Sequence, residues 1–259
     1  MENPITIIRL TAFLKYLELE KNSSLLTIQN YETDIKLFLA FLKKRTETVS
    51  WGNVTVLDIR AYLALMNNEK YARRTIARRI SSLRSFYKFL MRENFVKSNP
   101  FMKIKTPKLD KKLPVFLEEV EINGLLELPS NDELGLRDQA LLELLYATGC
   151  RVSELVGLTL EHIDLGNQYV LLLGKGNKER IVPIGKAAVK AVDIYITKSR
   201  AIIMRRFNVK EHSRLLINHR GTQLSARSVR RILSKYIADL ALQNHVSPHV
   251  IRHTFATHL

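Results

Sequence analysis

The sequence predicts a mainly helical chain in two parts, an all-α bundle over residues 1–106 followed by an α+β domain with a small antiparallel sheet. Three observations carry that expectation. Apolar residues recur at helical spacing through most of the chain. A stretch with prolines at positions 100, 107 and 114 and a run of lysines interrupts the pattern. And a single pair of short apolar runs, QYVLLLG and RIVPIG around the turn KGNKE, reads as a β-hairpin.

In the first part, ITIIRLTAFLKYLELEK places Ile8, Leu10, Phe13, Leu14 and Leu17 on roughly one stripe. TIQNYETDIKLFLAFLKKR repeats the pattern with Ile28, Tyr31, Ile35, Phe38, Leu39 and Leu42. TVLDIRAYLALMNNE opens with Thr55 as N-cap and Asp58 three residues on, where a carboxylate suits the positive end of a helix. In KYARRTIARRISSLRSFYKFLMREN the core stripe is Ile76, Ile80, Leu83, Tyr87 and Leu90. Its polar face carries Arg73, Arg74, Arg78, Arg79, Arg84 and Lys88, with no acidic residue between Tyr71 and Arg92. A solvated basic face interleaves glutamates with its lysines, so an unpaired row of arginines predicts contact with a polyanion.

Residues 107–113 read as a linker and 114–259 as the second domain. LRDQALLELLYATG is a buried helix stopped by Gly149 as C-cap. RVSELVGLTLEHIDL is a short helix and turn before the hairpin. KAAVKAVDIYITKSRAIIM, SARSVRRILSKYIADLAL and SPHVIRHTFATHL return to helical spacing.

Bulk properties narrow the function. The 259 residues are 46% hydrophobic and 25% charged, as in globular proteins, with no apolar run long enough to span a membrane. MENPITIIRL lacks the layout of a signal peptide, and one cysteine, Cys150, fits a reducing cytoplasm. Forty-one Lys and Arg against 25 Asp and Glu give a net charge of +16. Ribosomal and membrane-surface proteins share such values, but phosphate neutralisation is the commonest use of so large an excess, which puts double-stranded DNA first among partners. The charge is uneven: residues 1–106 hold 19 basic and 9 acidic side chains.

Several residues have the chemistry of a phosphate site. Arg151 and Glu154 are three apart on one helix face, where a carboxylate holds a guanidinium in one orientation; alone, the pair is equally an exposed salt bridge. Lys175 lies between two glycines at the hairpin tip, either a solvent-exposed turn residue or a lysine delivered to a phosphate. The segment is no nucleotide-binding loop, because GxxxxGK[ST] is absent and a strand follows it. Ser247 and Pro248 start a helix whose first turn brings His249, with Arg252 three residues later. His249 and His253 have no glutamate between them as in HExxH, so no metal is expected.

Taken in order, ATGCRVSELVGL, GKGNKERIVPI and SPHVIRHTFATHL resemble the three signature boxes of the tyrosine recombinase (phage integrase) family, its Xer-type members above all. SLLTIQNYETDIKLFLAFL and YARRTIARRISSLRSFYKFL resemble helices of that family's SAM-like core-binding domain, so the resemblance covers both parts of the chain. It implies a core-binding domain and a catalytic domain that clamp duplex DNA, and cleavage by a tyrosine through a 3′-phosphotyrosyl intermediate, without metal or cofactor. The implied catalytic set is Arg151, Lys175, His249 and Arg252, supported by Glu154. In that set the arginines would hold phosphate oxygens, Lys175 would protonate the leaving 5′-oxygen, and His249 would assist proton transfer or bind a phosphate oxygen. The implied role is resolution of chromosome or plasmid dimers in the cytoplasm, at the nucleoid. It is carried out by a homo- or hetero-tetramer on paired sites, with a second recombinase or a DNA translocase as further partners and no membrane. A phage or mobile-element integrase has the same chemistry, as does a type IB topoisomerase. A non-catalytic architectural DNA-binding protein is the reading from another class.

One element of the family pattern has no match. The nucleophilic tyrosine should follow Arg252, whereas all nine tyrosines precede it, the last being Tyr236 in surroundings that read as core. The pattern is expected to continue past Leu259, and this chain holds no nucleophile. A polypeptide of these 259 residues is therefore expected to bind duplex DNA without cutting it. Incubation with a suicide DNA substrate checks this, and a covalent protein–DNA adduct overturns it.

Overall fold

The computed structural model describes residues 4–46, 48–107, 116–174, 176, 178–240 and 247–258, apart from the side chains of Pro4 and His249. The chain divides into two compact units, Met1–Lys111 and Lys112–Leu259. Most of the expected linker, residues 108–113, lies outside the described residues.

The first unit is built from four helices, α1 (Pro4–Leu19), α2 (Leu25–Lys43), α3 (Val56–Asn68) and α4 (Arg73–Arg92). Single 3-10 turns at Trp51–Asn53 and Pro100–Lys103 complete it. Helices α2 and α3 start where a side chain can satisfy the free N–H groups of the first turn. The Ser24 hydroxyl accepts from the Thr27 amide, and Thr55 and Asp58 form a reciprocal capping box. Burial alone would raise the Asp58 carboxyl, but its bonds from Thr55 hold it below the ordinary value. Phe13, Phe38, Trp51, Phe86, Tyr87 and Phe101 fill the core as one aromatic cluster. Its polar tips are satisfied: Trp51 Nε1 donates to the Thr6 carbonyl at 3.2 Å and Tyr87 Oη to the Trp51 carbonyl at 2.9 Å. The predicted core stripe of α4 is buried throughout, while Ile8 of α1 departs from its expected stripe and is 64% exposed.

The row of arginines on α4 needs correction, because its counter-charge comes from another helix. Asp34 of α2 is fully buried and pairs with both Arg78 and Arg79. Arg79 is itself 7% exposed, with its Nε 3.7 Å from Asp34 Oδ1, a hydrogen bond to Tyr62 Oη and its guanidinium 4.2 Å above the Tyr71 ring. Ser82 donates to the same carboxylate at 3.0 Å. Arg84 is also occupied, donating to the carbonyls of Phe101 and Ile104 and so tying α4 to the 3-10 turn. Sequence proximity hid these partners: Asp34 is 44 residues from Arg78. Arg73, Arg74 and Lys88 remain exposed.

The second unit surrounds α6 (Glu133–Thr148), whose Ala140, Leu141, Leu142, Leu144 and Leu145 are all buried. A helix apolar on nearly every side belongs at the centre of a domain. Around it lie α5 (Glu119–Glu127), which sequence patterning did not single out, α7 (Val152–Gly157), α8 (Lys186–Tyr195), α9 (Ala201–Arg206), α10 (Ala226–Asp239) and α11 (Pro248–His258). A π-helical turn at Ile196–Arg200 joins α8 to α9. There Arg200, 5% exposed, donates to the carbonyls of His212 and Arg214, which closes a loop that would otherwise leave buried acceptors.

The sheet is antiparallel, in the order β1 (Ile163–Asp164), β2 (Tyr169–Leu173), β3 (Glu179–Pro183). β2 and β3 are the predicted hairpin, with Leu171 opposite Ile181 and Leu173 opposite Glu179. β1 is only two residues long, too short for a period-two signal. Along β3, Arg180 and Val182 take the inward phase while Glu179, Ile181 and Pro183 face out. Tyr236 is core as expected, 3% exposed with its hydroxyl donating to Asp138. No described helix is long and apolar enough to cross a membrane.

Removing the Asp34 carboxylate leaves Arg79 buried without its counter-charge, so Asp34→Ala is expected to cost about 3–5 kcal/mol. Chemical denaturation checks this; a loss below about 1 kcal/mol, the range of an exposed pair, overturns it.

Candidate active site

The site grows from the end of α6. Gly149 takes φ +51°, the left-handed conformation, and its amide donates back to the Leu145 carbonyl at 3.0 Å. A β-carbon here would be strained by its own backbone and would meet the Phe255 ring of α11 at 2.3 Å. Glycine therefore does two jobs: it ends α6 and lets α11 lie against the turn. The Gly149 carbonyl in turn accepts from Arg252 Nη1 at 2.7 Å, which fixes one predicted arginine to the turn that bears the other. Thr254, fully buried, seats α11 further by accepting from the Leu117 amide at 2.9 Å.

Arg151 is the N-cap residue of α7, and Glu154 sits three positions into the helix. The geometry predicted from their spacing is present: Arg151 Nη1 donates to Glu154 Oε1 at 3.0 Å, and the Arg151 amide donates to Oε2 at 2.8 Å. Their environments differ. The Glu154 side chain is 3% exposed and that of Arg151 is 56% exposed, a buried carboxylate holding a guanidinium that faces outward.

A third member was not found from sequence. Arg180 of β3 donates through Nη2 to Glu154 Oε2 at 2.7 Å and through Nη1 to Oε1 at 3.0 Å. The signal for it was an arginine on the inward phase of an alternating strand, where a charge needs a partner. Burial alone would push the Glu154 carboxyl up, but Arg180 and Arg151 together pull it down to about 2. The same contact raises the Arg180 guanidinium. Cys150, between Gly149 and Arg151, is pushed up to about 11 by burial and is no nucleophile at neutral pH.

Of the other predicted residues, Lys175 lies outside the described residues; its neighbour Gly176 takes φ +75°. His249 is in the first turn of α11, with its side chain outside the description. Among the described residues no group of His, Cys, Asp and Glu is placed to hold a metal. Periodicity in the sequence locates α10 but does not single out its Arg227, Arg230 and Arg231, which are exposed and make no ion pair among the described residues.

Comparison with known proteins gives the family of the chain. The Phage integrase family model matches residues 115–259, and the Phage integrase N-terminal SAM-like domain model matches residues 10–94. The chain belongs to the phage integrase family of tyrosine recombinases. It is 45% identical over 251 residues to tyrosine recombinase XerC of Halalkalibacterium halodurans, covering 96% of this chain and 82% of that protein. To tyrosine recombinase XerC of Bacillus subtilis it is 42% identical over 262 residues, covering 100% of this chain and 84% of that one. The Tn1549 transposon integrase in complex with circular intermediate DNA shares the fold at a TM-score of 0.70 and 20% identity, over 97% of this chain and 86% of that one. A lambda integrase dimer bound to a COC′ core site does so at 0.69 and 16%, over 96% and 84%.

In this recombinase-family chain the Glu154 carboxyl is tied to acid stability. Because its folded value lies near 2, below the ordinary 4.5, its contribution is complete above about pH 4.5 and is lost as the pH falls toward 2. Glu154→Gln is therefore expected to flatten the pH dependence of the thermal midpoint in that window; identical slopes for the two proteins overturn the assignment.

Proposed function

We propose that this chain binds duplex DNA and activates one of its phosphates as part of a Xer-type site-specific recombinase. The observation that carries the reading is the Gly149 turn. It leads into the start of α7, where Arg151 meets the buried carboxylate of Glu154, and its own carbonyl anchors Arg252; the other donors of both forks have no partner among the described residues, which supports their use on an anion.

In this reading Arg151 and Arg252 bind the non-bridging oxygens of the scissile phosphate. Their donors gain strength as charge builds up on those oxygens in the pentacoordinate transition state. Attack of a tyrosine oxygen on phosphorus forms the 3′-phosphotyrosyl bond and breaks the bond to the 5′-oxygen. Lys175 supplies that oxygen with its proton, and His249 moves a proton at the attacking side or binds a phosphate oxygen. The phosphoester energy is kept in the covalent link, so rejoining needs no nucleotide. Residues 1–259 hold no tyrosine after Arg252, and the reading assigns the nucleophile to none of them. The reading further assigns residues 1–106 as the core-binding domain and 114–259 as the catalytic domain. Arg73, Arg74 and Lys88, with Arg78 at the edge of its ion pair, are its backbone contacts in the first domain. Assembly as a tetramer on paired sites and a location at the nucleoid follow from the same reading.

The salt dependence of binding tests the DNA contact. The logarithm of the association constant should fall linearly with the logarithm of salt concentration, by about 0.9 for each phosphate neutralised. Arg73→Ala and Arg74→Ala should each lower that slope by up to one contact, whereas a flat salt response overturns the reading. The chemistry is tested in a chimera that joins residues 1–259 to the C-terminal remainder of the Bacillus subtilis relative. Arg151→Ala or Lys175→Ala should abolish the covalent adduct and keep most of the affinity; undiminished adduct formation would point to a different set of catalytic residues.

A further inference from the structure

Glu154 is used to capacity. An ionised carboxylate has about four lone-pair sites. Here Oε1 accepts from Arg151 Nη1 and Arg180 Nη1, both at 3.0 Å. Oε2 accepts from Arg180 Nη2 at 2.7 Å and from the Arg151 amide at 2.8 Å. Arg180 therefore grips the carboxylate with both ends of its fork, while Arg151 is left with a single end-on bond. Among the described residues, the Arg151 guanidinium makes that one hydrogen bond, and its side chain is 56% exposed.

The lowest-energy partner for an isolated arginine beside a carboxylate is the two-bond fork. Arg151 is denied it because Arg180 already occupies both oxygens. Without Arg180, Glu154 would remain a buried charge with two open acceptor sites, and the nearest group able to fill them is Arg151. Turning inward to do so would withdraw from the exposed side the donors that a phosphate needs. The local charge would fall as well, from two cations on one anion to a neutral pair.

We propose that Arg180 is a positioning residue that saturates Glu154 and thereby keeps the Arg151 guanidinium turned outward for a phosphate oxygen. The role rests on the reading of Arg151 as a phosphate ligand. It differs from a simple tie between β3 and α7, which would hold the fold together without affecting what Arg151 does.

Two measurements on the 259-residue chain test it. In the first, guanidinium nitrogen NMR follows rotation about the Arg151 and Arg180 Cζ–N bonds in the unaltered protein and in Arg180→Met, which keeps the apolar stem and removes the donors. The expected result is an Arg180 more restricted than Arg151, with Arg151 becoming more restricted in the variant. An Arg151 as restricted as Arg180 before substitution, or one unchanged by it, overturns the proposal. The first half of that measurement decides the matter even if the variant does not fold.

In the second, affinity for a duplex oligonucleotide is measured at 0.1 M salt for Arg180→Met, Arg151→Ala and both together. Loss of one phosphate contact at a slope of about 0.9 is worth roughly eightfold relative to 1 M salt. Each single variant should weaken binding several-fold and lower the salt slope by about one contact, and the double variant should bind no more weakly than Arg151→Ala. Arg180→Lys, which keeps the charge but not the fork, should not restore affinity. Additive losses in the double variant, or full affinity in Arg180→Lys, overturn the proposal. A chain that binds no duplex at all overturns the DNA reading instead, and the NMR result still decides the role of Arg180.

Discussion

The site depends on one buried carboxylate. Glu154 is enclosed by α7 and the base of the β2–β3 hairpin, and every acceptor position it offers is taken. A charge at that depth is tolerated only when paired and hydrogen-bonded, so the two arginines and the α7 amide are what allow it to stay ionised. The dependence also runs the other way. Arg151 has no other side-chain partner among the described residues, and the N-terminus of α7 has no hydroxyl cap and uses Glu154 in its place. One side chain therefore starts a helix, seats the hairpin and aims a guanidinium.

The first unit uses the same device for a different end. Asp34 is fully buried and accepts from Arg78 and Ser82, with Arg79 close by, and so locks α2 to α4. In both units the carboxylate is inside and at least one arginine of the pair reaches the surface. The difference lies in what the second arginine does. Arg79 is sealed between Tyr62, Tyr71 and Asp34 and serves the fold. Arg180 remains partly exposed at the edge of the sheet, where it shapes the donor pattern of its neighbour. Together with Arg84, Arg137 and Arg200, Arg79 shows that the +16 net charge overstates the charge free to meet a polyanion.

What was legible in the sequence follows from the range of each interaction. Helices α2, α3, α4 and α6 and the hairpin announce themselves through periodicity and caps, all set within a few residues. The Arg151–Glu154 pair was readable for the same reason, being a contact across one helical turn. Arg180 and Asp34 were not, because their partners lie 26 and 44 residues away and are supplied by tertiary packing. Local reading took the α4 arginines as unpaired for want of acids on their own helix. α5 escaped notice because it is only nine residues long, follows the proline-rich stretch and shows its helical spacing over a single turn, at Ile122, Leu125 and Leu126.

The placement of Arg252 shows why such a site cannot be assembled one residue at a time. Its anchor is a main-chain carbonyl, that of Gly149, and the anchor exists only because Gly149 adopts a left-handed conformation that few side chains tolerate. The same conformation directs the chain from α6 into the N-cap of α7, two residues later, where Arg151 begins. Phe255, one helical turn from Arg252, packs on the face that the missing β-carbon leaves open. A change in this turn would move the anchor of one arginine and the helix start of the other together. The anchor of one guanidinium and the helix start that carries the other are thus set by the backbone of a single turn, which is stiffer than a side-chain rotamer.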